Sequence, residues 1–312
     1  MQLRKGIQRT AAALLCLACL GGFAQDDDDP WAFCSVYRDE WGVPHIAAEN
    51  PFALGFAFGY AQAEDHLEEM LRAYCIVNGR AAAIWGEDYA ESDAFSLRMG
   101  HARLAEGAYS QADPFTAAIC TGFAQGINAW ILEHPAAVPE WVDGAKPADV
   151  LALWHAFLMS EAPFDLPGIF RRAPAMETGN GWALAPKRTA EGQTLLVLNA
   201  HENYDGPFRW CEAHLIMGNY NVYGATLFGL PLVLMGHNDM AGWAIAPNLP
   251  DFGDVYMEQF SPAAGGNPKR MFNRKSTPDD DLALQMMSKM QPYYVRTDAG
   301  LEERLVSVLA TA

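Results

Sequence analysis

Apolar residues recur at helical spacing in the first half of the chain. Three segments show this pattern: 51–80, 114–133 and 147–161. The second segment begins with Asp113 as N-cap and Pro114 in the first turn, and Pro163 ends the third. Residues 37–46, which precede the first helix, are typical of a strand that enters a turn. The first half of the chain is therefore predicted to be mainly helical.

After residue 179 the pattern changes to short β-type runs separated by Gly, Pro, Asn and Asp turns. These runs cover 182–185, 194–199, 210–217, 221–226, 232–235, 243–246 and 255–260. We interpret the polar stretch over 261–288 as a surface excursion, after which residues 293–308 resume β-type alternation. A helical part followed by many short strands predicts an α+β fold in which helices cover sheets.

The chain is expected to divide into four regions. Residues 1–24 combine a basic lead-in, an apolar run and small residues before a cleavage point near Ala24, which is the pattern of a secretory signal peptide. Residues 25–162 form the mainly helical region, 163–178 a connector or processing segment, and 179–312 the strand-rich region. We therefore expect a periplasmic or secreted protein in which no internal segment crosses a membrane.

The chain is strongly acidic, and this narrows the choice of partners. Its 312 residues carry a formal net charge of −17. Signal removal takes away three basic residues and no acidic ones, which leaves 18 basic against 38 acidic residues and a charge of −20. Because such a chain repels phosphate backbones and anionic lipid surfaces, we expect neither nucleic acid nor a membrane as partner. A neutral or basic small molecule fits better.

Four of the six cysteines lie outside the signal segment. Cys34, Cys75, Cys120 and Cys211 are widely spaced and contain no C-x-x-C pair, so a zinc site is not indicated. In an oxidising compartment they could form one or two disulfides. The alternative is that all four are buried thiols.

Common catalytic motifs are missing from the sequence, which has no G-x-S-x-G elbow, no H-E-x-x-H and no phosphate-binding glycine loop. His201 is the candidate that the residues themselves suggest, because it ends an apolar run beside a turn-forming loop. A hydrogen-bonded structural histidine is the alternative interpretation of the same pattern.

Several motifs occur in an order that resembles a known family. Residues 179–189, GNGWALAPKRT, resemble the opening of the catalytic chain in the penicillin acylase family, which includes cephalosporin, aculeacin and acyl-homoserine-lactone acylases. Further landmarks are WGVPHI at 41–46, GYAQAED at 59–65, YGAT at 223–226, GLP at 229–231 and GHN at 236–238. The segment NGR at 78–80, followed by WG at 85–86, resembles the aculeacin and homoserine-lactone branch.

The resemblance implies a fold and an activity. It implies an αββα sandwich of the N-terminal-nucleophile hydrolase type, incomplete at the C-terminus because the family's catalytic chain is several times longer. It also implies a precursor that cuts itself before a serine into an α/β heterodimer. The implied reaction is hydrolysis of the linear amide of an N-acylated small molecule: a β-lactam side chain, a lipopeptide or an acyl-homoserine lactone. No organic cofactor is expected.

At the reacting positions this sequence departs from the family pattern. The nucleophile serine position is Gly179, which has no side chain. Thr178 could substitute, although its spacing to the following motif is one residue too long. His201 matches a position that lines the nucleophile, and the position whose backbone N–H stabilises the oxyanion falls on Pro247, which has no such donor.

A calcium site is the one metal site that the resemblance implies. Asp254 and Val255 match a stretch where relatives place part of such a site, since carboxylate and carbonyl oxygens suit a hard cation. A solvated acidic strand end is the alternative. The sequence as a whole predicts an acylase-type amidase that is impaired at Gly179, with self-cleavage to a heterodimer in doubt. The alternatives are an uncleaved pseudoenzyme that binds acylated small molecules, and an inactive fragment.

Overall fold

The computed structural model describes residues 29–160, 167–170, 179–201, 204, 206–245, 269–271 and 283–311. The helices in these ranges are α1 (Pro51–Val77), α2 (Ala82–Trp85), α3 (Ala90–Met99), α4 (His101–Ser110), α5 (Pro114–Glu133) and α6 (Pro147–Ser160). The three predicted helices are confirmed as α1, α5 and α6. Helices α2 to α4 are short and rich in small and charged residues, so the sequence pattern did not predict them.

Side-chain caps explain where the two longest helices begin. The Asn50 side chain accepts a hydrogen bond from the Ala53 amide at 2.9 Å, directly before α1. Asp113 accepts from the amides of Phe115 and Thr116 at 3.0 and 3.2 Å, as its position before α5 predicted. Each helix also has proline in its first turn, where the missing N–H has no intrahelical partner to lose.

The described strands form three sheets. They are β1 (Cys34–Arg38), β2 (Pro44–Ala48), β3 (Gly179–Leu184), β4 (Leu195–Ala200), β5 (Trp210–Met217), β6 (Tyr220–Leu227), β7 (Met235–His237), β8 (Gly242–Trp243), β9 (Lys269–Met271), β10 (Ala283–Thr297) and β11 (Gly300–Thr311). The largest sheet has the order β1-β2-β5-β6-β7-β8, β3 pairs with β4, and the third sheet has the order β11-β10-β9. The α+β prediction is confirmed.

The two halves of the chain share the largest sheet. β1 and β2 come from the mainly helical half, yet β2 runs parallel to β5 from the strand-rich half. The remaining neighbours in this sheet are antiparallel. Because the six described helices lie between β2 and β5 in sequence, the parallel pairing of these two strands requires the chain to fold back on itself.

Helices α1 and α5 cross at unusually close range through glycines spaced four residues apart. Gly55 and Gly59 on α1 lie against the α5 backbone, and Gly122 and Gly126 on α5 lie against the α1 backbone. A Cβ added at any of the four would overlap a carbonyl oxygen of the other helix. Only glycine therefore permits this spacing of the two backbones.

A buried polar connection fixes α1 against the sheet. The Gln62 side chain accepts from the Gly229 amide at 2.8 Å and donates to the Leu230 carbonyl at 3.2 Å. The Tyr74 hydroxyl donates to the Gly229 carbonyl at 2.7 Å. These bonds satisfy backbone groups of the turn after β6 inside the core, where unpaired groups are costly.

The β10–β11 hairpin lies against the short helices. Val295 is fully buried there beside Ala82 and Ala90. The two terminal guanidinium nitrogens of Arg304, Nη1 and Nη2, donate to the Glu87 carboxylate at 2.7 and 2.8 Å. Two strands have residues in the stretch interpreted as a surface excursion, residues 261–288: β9 and the first part of β10. β9 pairs with residues 283–285 of β10, and β10 pairs with β11 from Met286 onwards.

The four cysteines outside the signal segment are free thiols; Cys75 and Cys120 are buried, whereas Cys34 and Cys211 are half-buried. Burial raises the pKa of Cys75 and of Cys120 to about 11, so these thiols stay protonated and unreactive. We expected no internal segment to be long and apolar enough to cross a membrane, and by these two criteria the expectation was wrong. Among the described helices α5 meets both criteria, yet it packs closely on α1, as the core helix of a folded domain does.

Candidate functional site

The segment with the family-like opening forms an antiparallel hairpin. β3 begins at Gly179 and pairs with β4 so that Gly179 lies opposite Ala200 and Leu184 lies opposite Leu195. His201 is the first residue after β4. The register therefore brings Gly179, the predicted nucleophile position, and His201, 22 residues later in sequence, to the same end of one hairpin.

A side-chain hydrogen bond links the two strands at this end. Nδ2 of Asn180 lies 3.0 Å from Nε2 of His201. Because an amide nitrogen can only donate, Nε2 of His201 accepts, which places the ring proton of a neutral His201 on Nδ1. Gly179 itself is half-buried and brings no hydroxyl or thiol to this site.

The two faces of the β3–β4 hairpin differ in their surroundings. On one face Gly181 lies against Ala244 and the Leu196 side chain lies against Gly242, so this face packs on the region of β8. The other face carries partly exposed apolar side chains, namely Trp182, Leu184, Leu195 and Val197. Asn180 shares that open face, because strand residues two apart point the same way.

The remaining predicted site residues fall outside the part of the chain that the structure describes. These are Thr178, Pro247, Asp254 and Val255. Their roles as substitute nucleophile, oxyanion position and calcium ligands stay predictions. Within the described ranges, no three or more His, Cys, Asp or Glu side chains are grouped so that they could hold a metal ion.

A second polar site lies on the largest sheet. His45, His214, Tyr223 and His237, which we call the ring row, are successive cross-strand neighbours on β2, β5, β6 and β7. Neighbouring rings in the row lie 5.1 to 5.9 Å apart between centroids. The row lines an open cleft of about 400 Å³.

Sequence reasoning did not assign a function to the ring row. Two of its members lie in quoted landmarks, His45 in WGVPHI and His237 in GHN, and this was the signal that could have pointed to them. His214 lies in an ordinary strand and was not singled out. The alignment of the four side chains depends on the parallel pairing of β2 with β5, which no local pattern reveals.

Two carboxylates of the first helix form ion pairs with one arginine of the sheet. Arg38 on β1 binds Glu64 at 2.9 Å and Asp65 at 2.7 Å, and it also donates to the Ala61 carbonyl. These contacts join β1 to α1.

Comparison with known proteins identifies the family. The penicillin amidase family model matches residues 34–279. Acyl-homoserine lactone acylase PvdQ from Pseudomonas fluorescens (strain Pf0-1) is 28% identical over 73% of this chain and 34% of its own length. QuiP, an acyl-homoserine lactone acylase from the same strain, is 22% identical over 72% of this chain and 35% of its own length. Penicillin acylase 2 proenzyme from Pseudomonas sp. (strain SE83) is 23% identical over 72% of this chain and 38% of its own length.

A solved structure is also similar. It is the thermostable penicillin G acylase from Alcaligenes faecalis, at 24% identity and a TM-score of 0.38, with 42% of this chain and 76% of that chain covered. The chain spans about a third of the length of the curated relatives it matches. Since the family model covers most of the sequence and its matched region contains the hairpin opened by Gly179, this chain belongs to the penicillin amidase family, whose fold is that of the N-terminal-nucleophile hydrolases.

Proposed function

We propose that this chain binds N-acylated small molecules and that its amidase activity is impaired or lost. The observation that carries the proposal is the position of Gly179. It begins β3 opposite Ala200, at the end of the hairpin where Asn180 and His201 are hydrogen-bonded. Two polar side chains thus lie at this end of the hairpin, while the predicted nucleophile position holds a glycine.

The chemistry of the family makes this substitution decisive. Amide hydrolysis by covalent catalysis needs a hydroxyl or thiol that attacks the carbonyl carbon and carries the acyl group until water releases it. Self-cleavage needs the same group, because the chain breaks through an acyl shift from nitrogen to oxygen or sulfur. A glycine supplies neither step, so the precursor is expected to stay a single chain rather than become an α/β heterodimer.

A working acylase that uses Thr178 is the second candidate. Threonine is a competent nucleophile at a chain N-terminus, and Thr178 directly precedes Gly179. In that case the chain would cut before Thr178, and the α-amino group of the new terminus would serve as base. The one-residue shift against His201 speaks against this reading.

The relatives suggest the class of ligand. Their names include acyl-homoserine lactone acylase and penicillin acylase, so the shared feature is an acyl chain on a linear amide. The segment at 78–86 favours the homoserine-lactone type. We place the protein in the periplasm or outside the cell, as the signal-like start predicts, and we keep calcium at Asp254 and Val255 as an expectation.

Binding and turnover measured together test the proposal. N-decanoyl-homoserine lactone is titrated into the purified full chain by calorimetry, and its recovery is followed by mass spectrometry, with Thr178→Val as the matched variant. Saturable binding with intact lactone in both proteins supports the proposal. Hydrolysis that is lost in Thr178→Val would establish the Thr178 acylase instead. Absence of both binding and hydrolysis would contradict the proposal and favour an inactive fragment.

A further inference from the structure

The open face of the β3–β4 hairpin has one polar end and one apolar end. Residues that lie directly opposite each other in an antiparallel pair point to the same side of the sheet. The face consists of three such pairs, in order along the hairpin: Asn180 and Asn199, Trp182 and Val197, Leu184 and Leu195. All six residues are exposed, whereas the intervening residues of β4 are half-buried. The hairpin therefore has a packed face and an open face.

The polar end of the open face adjoins the predicted nucleophile position. Gly179 begins β3, and the Asn180 amide donates to Nε2 of His201 at 3.0 Å. A side-chain amide has two N–H donors and one carbonyl acceptor, so Asn180 and Asn199 together can pair with both the C=O and the N–H of a ligand amide. This end suits the amide head of an acylated molecule.

The apolar end of the open face is small. The exposed fractions are 57% for Trp182, 39% for Leu184, and 45% each for Leu195 and Val197. Because a whole side chain of this size has on the order of 150–250 Å² of surface, the exposed apolar area is roughly 350 Å². A stable protein partner covers about 800 Å² on each side. The area is too small for a second copy of the chain and has the size of a patch that binds a ligand.

We propose that the open face binds the N-acylated molecule in one direction, with its amide between Asn180 and Asn199 and its acyl chain along the two apolar pairs. This inference rests on the proposed function and adds the position and the length of the acyl chain. None of the six side chains is charged, although the whole chain carries a net charge of −17. The face therefore favours a neutral aliphatic chain over a charged ligand.

The length of the open face selects the length of the acyl chain. Leu184 lies four residues after Asn180, which corresponds to about 13–14 Å along an antiparallel strand. An extended hydrocarbon advances about 1.25 Å per carbon, given bonds of about 1.5 Å and angles of about 111°. A chain of about ten carbons therefore reaches from the first pair to the last, and further carbons extend into solvent.

Calorimetry on the full chain tests this inference. The ligands are homoserine lactones that carry a butanoyl, hexanoyl, octanoyl, decanoyl or dodecanoyl chain. Complete burial of one methylene group raises affinity about fourfold, and an open face that covers one side of the chain gives about twofold. We expect the affinity to rise by this factor for each methylene group up to decanoyl, and to be the same for dodecanoyl as for decanoyl.

Substitutions along the open face separate its two ends. Leu195→Gln should remove the gain from octanoyl to decanoyl and leave the affinity for the butanoyl lactone unchanged. Asn180→Ala should weaken binding of all five lactones by a similar factor of about three to ten, the value of one hydrogen bond. Leu132→Gln changes an exposed leucine of α5 and is the matched control, which should bind every lactone as the unchanged protein does.

Three results have different consequences. If affinity rises with chain length but neither Leu195→Gln nor Trp182→Gln alters it, the acyl chain lies elsewhere and only this inference is overturned. If sedimentation shows a dimer that Trp182→Gln dissociates, the open face joins two copies of the chain. If no lactone binds the unchanged protein, the proposed function itself is contradicted. Val197→Thr keeps the side-chain shape, adds a hydroxyl and replaces any variant whose circular dichroism shows misfolding.

Discussion

The close crossing of α1 and α5 makes a direct prediction about stability. Gly59 on α1 lies against Phe123 on α5, and a methyl group there would lie 2.8 Å from the Phe123 carbonyl carbon and still closer to its oxygen. A backbone atom cannot rotate away as a side chain can. Gly59→Ala therefore requires the two helices to separate.

The loss of stability in Gly59→Ala can be judged from the packing that would be disturbed if α1 and α5 moved apart. Phe58 on α1 and Phe123 on α5 are both fully buried and their rings meet edge to face at 5.8 Å, so a shift of about 1 Å would loosen the centre of the core. Overpacking of this kind typically costs 1–3 kcal/mol and more where neither side can yield. We expect Gly59→Ala to lower the free energy of unfolding by about 3 kcal/mol or more.

Gly107 offers a matched control in α4. It is also a helical glycine, but a Cβ at this position meets nothing within 4 Å. Gly107→Ala should therefore raise stability by roughly 0.5–1 kcal/mol, because alanine loses less backbone entropy in a helix. Urea unfolding followed by circular dichroism compares the two variants. If Gly59→Ala were within about 0.5 kcal/mol of the unchanged protein, the close crossing would be refuted.

Two further predictions concern buried polar groups. Burial and the neighbouring His155 lower the pKa of His101 to about 4, below the value of about 6.5 for a histidine in the unfolded chain. The unfolded chain therefore binds a proton at this residue more readily, so the contribution of His101 to folding stability is present above pH 6.5 and is lost as the pH falls towards 4. Between pH 7 and 5 the free energy of unfolding should fall by roughly 2 kcal/mol because of this residue. His101→Gln should flatten this part of the curve of stability against pH. An unchanged slope would contradict the lowered pKa of His101. Gln62→Leu leaves two buried backbone groups unpaired and should cost about 2–4 kcal/mol in urea unfolding, whereas a loss below 0.5 kcal/mol would show that the side chain does not satisfy them.

The elements that the sequence predicted well have strong local signals. α5 combines an Asp113 cap, Pro114 and a long apolar repeat, and its bounds agree with the prediction to the residue. β5 is equally well predicted because turn residues flank its apolar run. The β-type runs predicted at 182–185 and 194–199 correspond to β3 and β4, and the structure pairs these two strands in a hairpin that begins at Gly179.

Long-range contacts account for what the sequence did not predict. His45 and His214 are 169 residues apart, and only the parallel pairing of β2 with β5 brings them together. Burial of the short helices α2 and α3 depends on the hairpin at Val295, more than 190 residues later. Neither relation leaves a periodic trace in its own segment, since each depends on the path of the whole chain.

The intact mass of the purified protein tests the central claim most directly. If Gly179 has replaced the nucleophile, mass spectrometry should find one chain that continues unbroken through residues 178 and 179, with only the signal-like start removed. Two chains, with a new N-terminus at Thr178 or Gly179, would contradict the claim. They would show that the protein still performs the self-cleavage that the glycine is expected to prevent.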